Sequence, residues 1–268
     1  EQRLPQDGRI SQMVNGRRVD LRIATFPTTF GEKVAVRILE KEKLVRGLSE
    51  LGFGRRNYET FRDILSKSRG IVLVTGPTGA GKTTTLYSAL AYLGSTERKI
   101  ITVEDPVEYQ IPTIRQTQIR PKAGFTFATA IRSLLRQDPD VIMIGEIRDP
   151  ETAQLALRAA LSGILVFSTL HTTDSAGAVP RLMDMGLEPY LLASGMVGVI
   201  AQRLLRQICP DCKEPVTYPA EVLAKVGLQP DPGLVLYRGS GCTKCGETGY
   251  RGRTGAMEIL VVDGAIHT

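Results

Sequence analysis

The sequence has no long apolar run and no low-complexity tract, and it contains only four cysteines. Its longest stretches without Asp, Glu, Lys or Arg, which include 159–173 and 189–202, are shorter than the roughly 18 to 20 apolar residues that cross a bilayer. We therefore expect no membrane-spanning segment. No basic-then-apolar signal segment opens the chain, so we expect a cytosolic protein, or a fragment of one that lacks native N-terminal residues.

The composition is that of a globular protein, with 42% hydrophobic and 23% charged residues. The length of 268 residues favours one large domain with an appendage, or two domains. The net charge of +6 arises from 34 basic residues scattered among 28 acidic ones. This distribution indicates a solvated surface rather than a dedicated patch for nucleic acid or membrane.

A β-hairpin is predicted at the start of the chain, because Asn15-Gly16 separates two patterned segments, 9–14 and 17–26. Its register places Arg9 opposite Arg22, and like charges directly opposite are destabilising unless an anion lies between them. Our hypothesis is that this face binds the γ-phosphate of a nucleotide held by a neighbouring subunit, as an arginine finger does. The alternative is a pair of solvated side chains that the sheet twist splays apart.

Short apolar runs alternate with helix-length segments beyond a charged linker at 40–54, with a domain boundary near residue 48. This alternation predicts an α/β fold with a mainly parallel sheet covered by helices. The predicted strands are 71–75, 100–103, 141–144 and 164–168. One intervening helix has clear ends, because Asp149 can cap it, Pro150 suits its first turn, and Ser162-Gly163 can close it.

A glycine-rich segment that follows the strand 71–75 has the spacing of a P-loop. Its glycines let backbone N–H groups point at a phosphate, Lys82 would reach the β- and γ-phosphates, and Thr83 would hold Mg²⁺. The sequence therefore predicts an ATP site. The candidate nucleotide-binding residues are Gly76, Pro77, Thr78, Gly79, Ala80, Gly81, Lys82, Thr83 and Thr84.

Acidic residues end two of the predicted strands. Phosphoryl transfer to water needs one carboxylate that orients the water and another that manages the metal. We assign the first role to Glu146 and the second to Glu104, with Asp105 or Glu108 as alternatives to Glu104. A single acid at a strand end is usually a turn or cap residue, but two that follow a P-loop favour catalysis.

His171 follows the next strand and could sense the γ-phosphate, although a lone histidine is more often structural. The second histidine, His267, has no evident role.

The four cysteines form two Cys-x-x-Cys pairs, Cys209 with Cys212 and Cys242 with Cys245. Four thiolates in two chelating pairs suit tetrahedral Zn²⁺, and no open coordination position is implied, so the predicted zinc is structural. Reduced free thiols or a redox pair are the alternatives. Zinc ribbons also bind nucleic acid, but no series of stacking aromatic residues accompanies these cysteines.

The motifs and their order along the chain resemble those of the bacterial secretion ATPase family, the GspE and PilB group. This family powers type II secretion and assembles type IV pili. The resemblance rests on the P-loop, an aspartate box at 101–108, a Walker B region at 138–149, a histidine box at 162–176 and the cysteine pairs. The histidine box departs from the family pattern, because Ile164 replaces its first histidine. This replacement puts in doubt any mechanism that uses both histidines.

The resemblance implies an ATPase that works as a ring hexamer, with Mg²⁺-ATP between its two domains. It implies that residues 1–48 are the end of a PAS-like domain plus linker, 49–206 a RecA-like core, 207–247 a zinc-binding subdomain and 248–268 a truncated C-terminal segment. Arg9 and Arg22 match arginines that approach the γ-phosphate, and Arg37 is a weaker third. The cysteines are typical of assembly and secretion motors and are absent from retraction motors.

The implied partner is an inner-membrane platform protein, which would place the motor at the cytoplasmic face of the inner membrane without contact with nucleic acid. Two other functions remain open from the residues. One is a RecA-like nucleic-acid motor, whose ATPase would respond to DNA or RNA. The other is a nucleotide-binding scaffold that hydrolyses almost nothing.

Overall fold

An antiparallel three-stranded sheet begins the chain in this computed structural model, which describes residues 3–40, 45–94, 98–229, 231 and 234–263. Its strands are β1 (Gln6–Val14), β2 (Arg17–Thr28) and β3 (Gly31–Glu40). The turn has positive φ at both Asn15 and Gly16, as a two-residue hairpin of this type requires. The predicted register is confirmed, with Arg9 opposite Arg22, and Arg22 in turn lies opposite Arg37.

The remaining strands are β4 (Gly70–Thr75), β5 (Ile100–Glu104), β6 (Arg115–Gln118), β7 (Val141–Ile144), β8 (Leu165–Leu170), β9 (Met196–Ile208), β10 (Lys213–Val216), β11 (Leu236–Gly239) and β12 (Tyr250–Val261). Seven of them form one sheet in the order β12-β9-β4-β8-β7-β5-β6. Every neighbouring pair in it is parallel except β12 and β9. The predicted α/β class with a mainly parallel sheet is confirmed.

The helices are α1 (Arg55–Leu65), α2 (Lys82–Leu93), α3 (Phe127–Leu134), α4 (Pro150–Leu161), α5 (Ala178–Asp184), α6 (Pro189–Gly195) and α7 (Ala220–Lys225). Helices α1 to α6 contribute to the two apolar clusters that cover the faces of this sheet. Strand β4 shows the two-sided packing, because Ile71 and Leu73 belong to one apolar cluster while Val72 and Val74 belong to the other. This burial on both faces explains its unbroken apolar sequence. Across the described ranges, no helix is long and apolar enough to cross a bilayer.

Local signals place the ends of helix α4 where the sequence predicts them. The Asp149 carboxylate accepts a hydrogen bond from the Thr152 backbone N–H at 2.8 Å, and Pro150 takes the first position. Helix α2 likewise begins directly after the glycine-rich segment and ends before Gly94.

Parallel pairing brings the carboxyl ends of β4, β5, β7 and β8 to one edge of the sheet. Ligands of open α/β sheets bind outside this edge. Residues 248–268 are expected to form a separate C-terminal segment. In the structure, the described residues of this segment contain β12, which pairs along most of its length with β9 and so belongs to the same sheet. His267 lies outside the described residues.

Candidate active site

The glycine-rich segment forms a tight loop between β4 and α2. Gly76, Gly79 and Gly81 have positive φ, and Gly81 immediately precedes the helix. A side chain at Gly76 would clash, because a Cβ there would lie 2.3 Å from the backbone oxygen of Gln202. Pro77, Thr78 and Gly79 are exposed. The loop therefore presents its backbone and the start of a helix to solvent, which is the arrangement that binds phosphate.

Lys82, the first residue of helix α2, folds back over this loop. Its Nζ donates hydrogen bonds to the backbone oxygens of Gly76 at 2.7 Å and Pro77 at 3.2 Å. Burial lowers the pKa of Lys82, while the Glu146 carboxylate acts in the opposite direction. The ammonium group thus lies inside the phosphate cradle and within the electrostatic reach of Glu146.

Gln202 supports the loop from strand β9, although no sequence motif points to it. Its buried side chain donates from Nε2 to the Ala80 oxygen at 2.8 Å, and its Oε1 accepts from the Thr85 hydroxyl at 2.6 Å. The residue therefore connects the loop with the first turns of α2. Gln202 follows the apolar run 196–201. An isolated glutamine at the end of such a run is the sequence signal that could have indicated its role.

Glu146 lies just beyond β7 and is partly exposed. Its carboxylate lies 2.5 Å from Arg148 Nη2 and 3.7 Å from His171 Nε2, and 15% of its side chain is exposed. The hydrogen bond to Glu146 raises the pKa of Arg148. The structure therefore brings two predicted residues, Glu146 and His171, together, and it adds Arg148, which no sequence signal had indicated.

Glu104 ends strand β5 in a very different setting. It is only 3% exposed, and its oxygens accept hydrogen bonds from the hydroxyls of Tyr87 and Thr102 and from Gln116 Nε2, the last at 3.1 Å. Burial raises the pKa of Glu104, although the three donors oppose that shift. The residue is next to the Glu146 strand end, because a Cβ on Gly145 would lie 3.4 Å from the Glu104 Cα.

The predicted arginines form a row of three across one face of the first sheet, Arg9, Arg22 and Arg37. All three line a cleft of about 740 Å³, together with Asp105 from the seven-stranded sheet. Arg22 donates from Nη2 to Glu108 at 2.6 Å, so an acid of the same chain supplies one anion for this row. Within the described ranges, the Arg22 Nε is buried without a hydrogen-bond partner.

The residue that departs from the family pattern, Ile164, is remote from this site. It lies before the start of β8 and packs against the apolar core, whereas His171 follows the other end of that strand. Six strand residues span about 20 Å. A histidine at position 164 would therefore not reach the groups around Glu146.

The four cysteine sulfurs converge as the spacing predicts. They lie within 4.8 Å of one another, with Sγ–Sγ distances of 3.9 Å for Cys209 and Cys242, 3.9 Å for Cys212 and Cys245, and 3.7 Å for Cys242 and Cys245. Four Zn–S bonds of about 2.3 Å would separate the sulfurs of a tetrahedron by about 3.8 Å. The donor set and its spacing therefore fit one tetrahedral metal ion.

Known proteins resemble the whole described chain. The family described as Type II/IV secretion system protein matches residues 1–268. The Type II secretion system ATPase E of Vibrio cholerae is 53% identical over 266 residues, which are 99% of this chain and 53% of that protein. The Type IV pilus assembly ATPase PilB of Thermus thermophilus is 49% identical over 99% of this chain and 30% of its own length.

Two solved structures superpose on nearly the whole of this chain. The pilus retraction motor PilT with bound ADP superposes with a TM-score of 0.68 at 29% identity and covers 99% of this chain and 66% of its own. The Legionella pneumophila ATPase DotB, at 22% identity and a TM-score of 0.69, shares the fold and covers 98% of this chain and 64% of its own. The chain spans about half the length of the first curated relatives. This chain belongs to the Type II/IV secretion system protein family.

Proposed function

We propose that this chain binds Mg²⁺-ATP at residues 76–84 and hydrolyses it to power type II secretion or type IV pilus assembly. The observation that carries the proposal is the glycine-rich loop with Lys82 folded over it, at the carboxyl edge of the sheet where Glu146 also lies. Relatives named as a secretion ATPase and a pilus assembly ATPase support the coupling to these systems.

In this proposal the loop backbone from Gly76 to Gly81 binds the phosphates through its N–H groups. Lys82 exchanges its bonds with the Gly76 and Pro77 oxygens for the β- and γ-phosphates. Thr83 would hold Mg²⁺, with Thr84 beside it. When bound, the metal neutralises charge on the β- and γ-phosphates.

Glu146 is the proposed residue that orients the attacking water. Arg148 pairs with its carboxylate, His171 lies near it, and the side chain remains partly exposed, so it can accept a new partner. Glu104 stays in the proposal as the second acid on the metal side, next to Gly145, with its orientation fixed by three donors. Asp105 and Glu108 are the alternatives.

The arginine row supports a role for the first sheet in hydrolysis. Three guanidinium groups line one cleft and together suit an anion. The terminal phosphate of a nucleoside triphosphate is such an anion. We assign Arg9 and Arg22 to the γ-phosphate of a nucleotide held by a neighbouring subunit in a ring hexamer, with Arg37 as the third. In this account the first sheet belongs to a PAS-like domain, and the seven-stranded sheet is a RecA-like motor.

Residues 207–247 are proposed to bind one structural Zn²⁺ through Cys209, Cys212, Cys242 and Cys245. The motor would act at the cytoplasmic face of the inner membrane on a platform protein, without nucleic acid. The cysteines favour assembly or secretion over retraction.

Measurement of ATP turnover tests the proposal, with Lys82→Ala as the variant and Lys67→Ala as its matched control. Lys67 is an exposed lysine outside the loop. We expect at least a roughly 100-fold loss of turnover for the first variant and no change for the second. An inactive wild-type protein would support a nucleotide-binding scaffold instead. Turnover that rises severalfold with DNA or RNA would support a nucleic-acid motor.

Metal analysis tests the zinc assignment. We expect about one zinc per chain, and less than a tenth of that in Cys242→Ser, because removal of one of four thiolates opens the site. Thr243→Ser, in the same turn, is the control and should retain the metal. A folded wild-type protein without metal would overturn the assignment.

A further inference from the structure

Tyr87 lies in the middle of the P-loop helix α2, and its hydroxyl makes a second contact besides the hydrogen bond that helps to orient Glu104. The side chain is fully buried, at 0% exposure. Its hydroxyl donates a hydrogen bond to Glu104 Oε2 and accepts one from the backbone N–H of Glu108 at 3.1 Å. One oxygen atom therefore joins α2 to the end of β5 and to the loop that follows it.

That loop carries the partner of Arg22. Glu108 Oε2 lies 2.6 Å from Arg22 Nη2, and both side chains are 23% exposed. The contacts from α2 to the arginine row are thus continuous: Tyr87 to the Glu108 backbone, and the Glu108 side chain to Arg22. We name this set of contacts the Tyr87 relay.

These contacts require the Tyr87 hydroxyl, whereas the packing of the ring does not. A phenylalanine would fill the same apolar space among the neighbours of α2, but it would leave the Glu108 N–H without its acceptor and Glu104 with one donor fewer. A buried polar group without a partner is costly, so the loop would shift to find another partner. Such a shift moves the carboxylate that holds Arg22.

We propose that Tyr87 is a positioning residue that couples the P-loop helix to Arg22 through Glu108. This inference rests on the proposed function, because it assigns Tyr87 an effect on turnover. The start of α2, where nucleotide would bind, and the arginine row would then be connected through this hydroxyl. Tyr87 does not touch the reactants, and its effect on Arg22 runs through the relay, separately from its hydrogen bond to Glu104.

A double-mutant cycle in ATP turnover tests the relay in the intact protein. We expect Tyr87→Phe to lose about tenfold and Arg22→Ala about 100-fold in kcat, with ADP affinity changed less than about threefold in both. If Tyr87 acts through Arg22, the double variant loses no more than about 300-fold. Independent action would give the product, about 1000-fold, and would overturn the inference.

The matched control is Tyr92→Phe in the same helix. Tyr92 is 50% exposed, and its hydroxyl contacts only the Arg62 Nε at 3.4 Å among the hydrogen bonds of the described chain. We expect wild-type turnover for this variant. A loss equal to that of Tyr87→Phe would assign the effect to the helix in general and would overturn the relay.

A second cycle covers the case in which Tyr87→Phe does not fold at the assay temperature. Glu108→Gln then replaces it, because Glu108 connects Tyr87 to Arg22. Non-additive losses with Arg22→Ala support the step from Glu108 to Arg22, and additive losses overturn the relay. An inactive wild-type protein would contradict the proposed function, whereas additivity in an active protein contradicts the relay alone.

Discussion

The two strand ends that carry the candidate acids hold them in opposite ways. At the end of β5, Glu104 is enclosed and accepts hydrogen bonds from three donors on three different elements. Beyond β7, Glu146 is partly exposed and meets two cationic or titratable side chains at its rim. An enclosed carboxylate keeps its orientation, whereas a partly open one can accept a new partner. The comparison teaches that equivalent sequence positions do not imply equivalent chemistry.

The largest effect is expected at the open end. Glu146→Gln removes the charge that orients water and should lower kcat by about 100-fold or more, while the ATP dissociation constant changes less than about threefold. Steady-state turnover and fluorescent-nucleotide binding measure the two quantities. Glu151→Gln, an exposed acid in the first turn of α4, is the control and should turn over ATP normally. Wild-type turnover of Glu146→Gln would remove Glu146 from the chemistry.

At the enclosed end, Glu104→Gln should affect stability as well as rate. The new amide turns a donor toward hydroxyl and amide donors, so we expect a loss of about 1–3 kcal/mol in the free energy of unfolding and about tenfold in kcat. Denaturant unfolding and turnover give the two values. Glu59→Gln on the exposed face of α1 is the control. An unchanged unfolding free energy would show that Glu104 is not held as described.

The pH dependence of stability sharpens this contrast further. Burial raises the pKa of Glu104 in the folded state above its ordinary value, so ionisation is harder in the folded than in the unfolded protein. The stability of wild type relative to Glu104→Gln is therefore greatest below the ordinary glutamate pKa, and it decreases as the pH rises through the folded value. Unfolding curves between about pH 4 and pH 8 measure this difference. If the stability of wild type relative to Glu104→Gln increased with pH, a raised pKa of Glu104 in the folded protein would be contradicted.

The smallest effect is expected for His171→Ala. The imidazole lies 3.7 Å from Glu146, beyond the length of a good hydrogen bond, and more than half of its side chain is exposed. We expect a two- to fivefold decrease in kcat, roughly the effect of a weak contact with a reacting group. A loss as large as that of Glu146→Gln would make His171 an equal partner in catalysis.

Local sequence signals explain why much of this site was predictable. The P-loop spacing, the Asn15-Gly16 turn and the Asp149 cap each depend on residues close together in the chain, and all three occur where predicted. The alternation of apolar runs also predicted the parallel sheet, since buried strands of such sheets are apolar on both faces.

The long-range contacts around the site were not predictable, because they join distant parts of the chain. Tyr87 and Glu104 are 17 positions apart, Arg22 and Glu108 are 86 apart, and Thr85 and Gln202 are 117 apart. Strand-end position alone could not show that Glu104 is enclosed, because the enclosure depends on a helix and a neighbouring strand. The packing of elements, rather than the pattern within one element, decides which acid stays open.

A crystal structure with Mg²⁺ and a nonhydrolysable ATP analogue tests the central claim most directly. The account predicts that Lys82 Nζ leaves the Gly76 oxygen for the phosphates, that Glu146 faces the terminal phosphate through one water molecule, and that Glu104 keeps its three donors. An empty loop, or a Glu146 carboxylate turned away from the terminal phosphate with Lys82 still on the Gly76 oxygen, would contradict it.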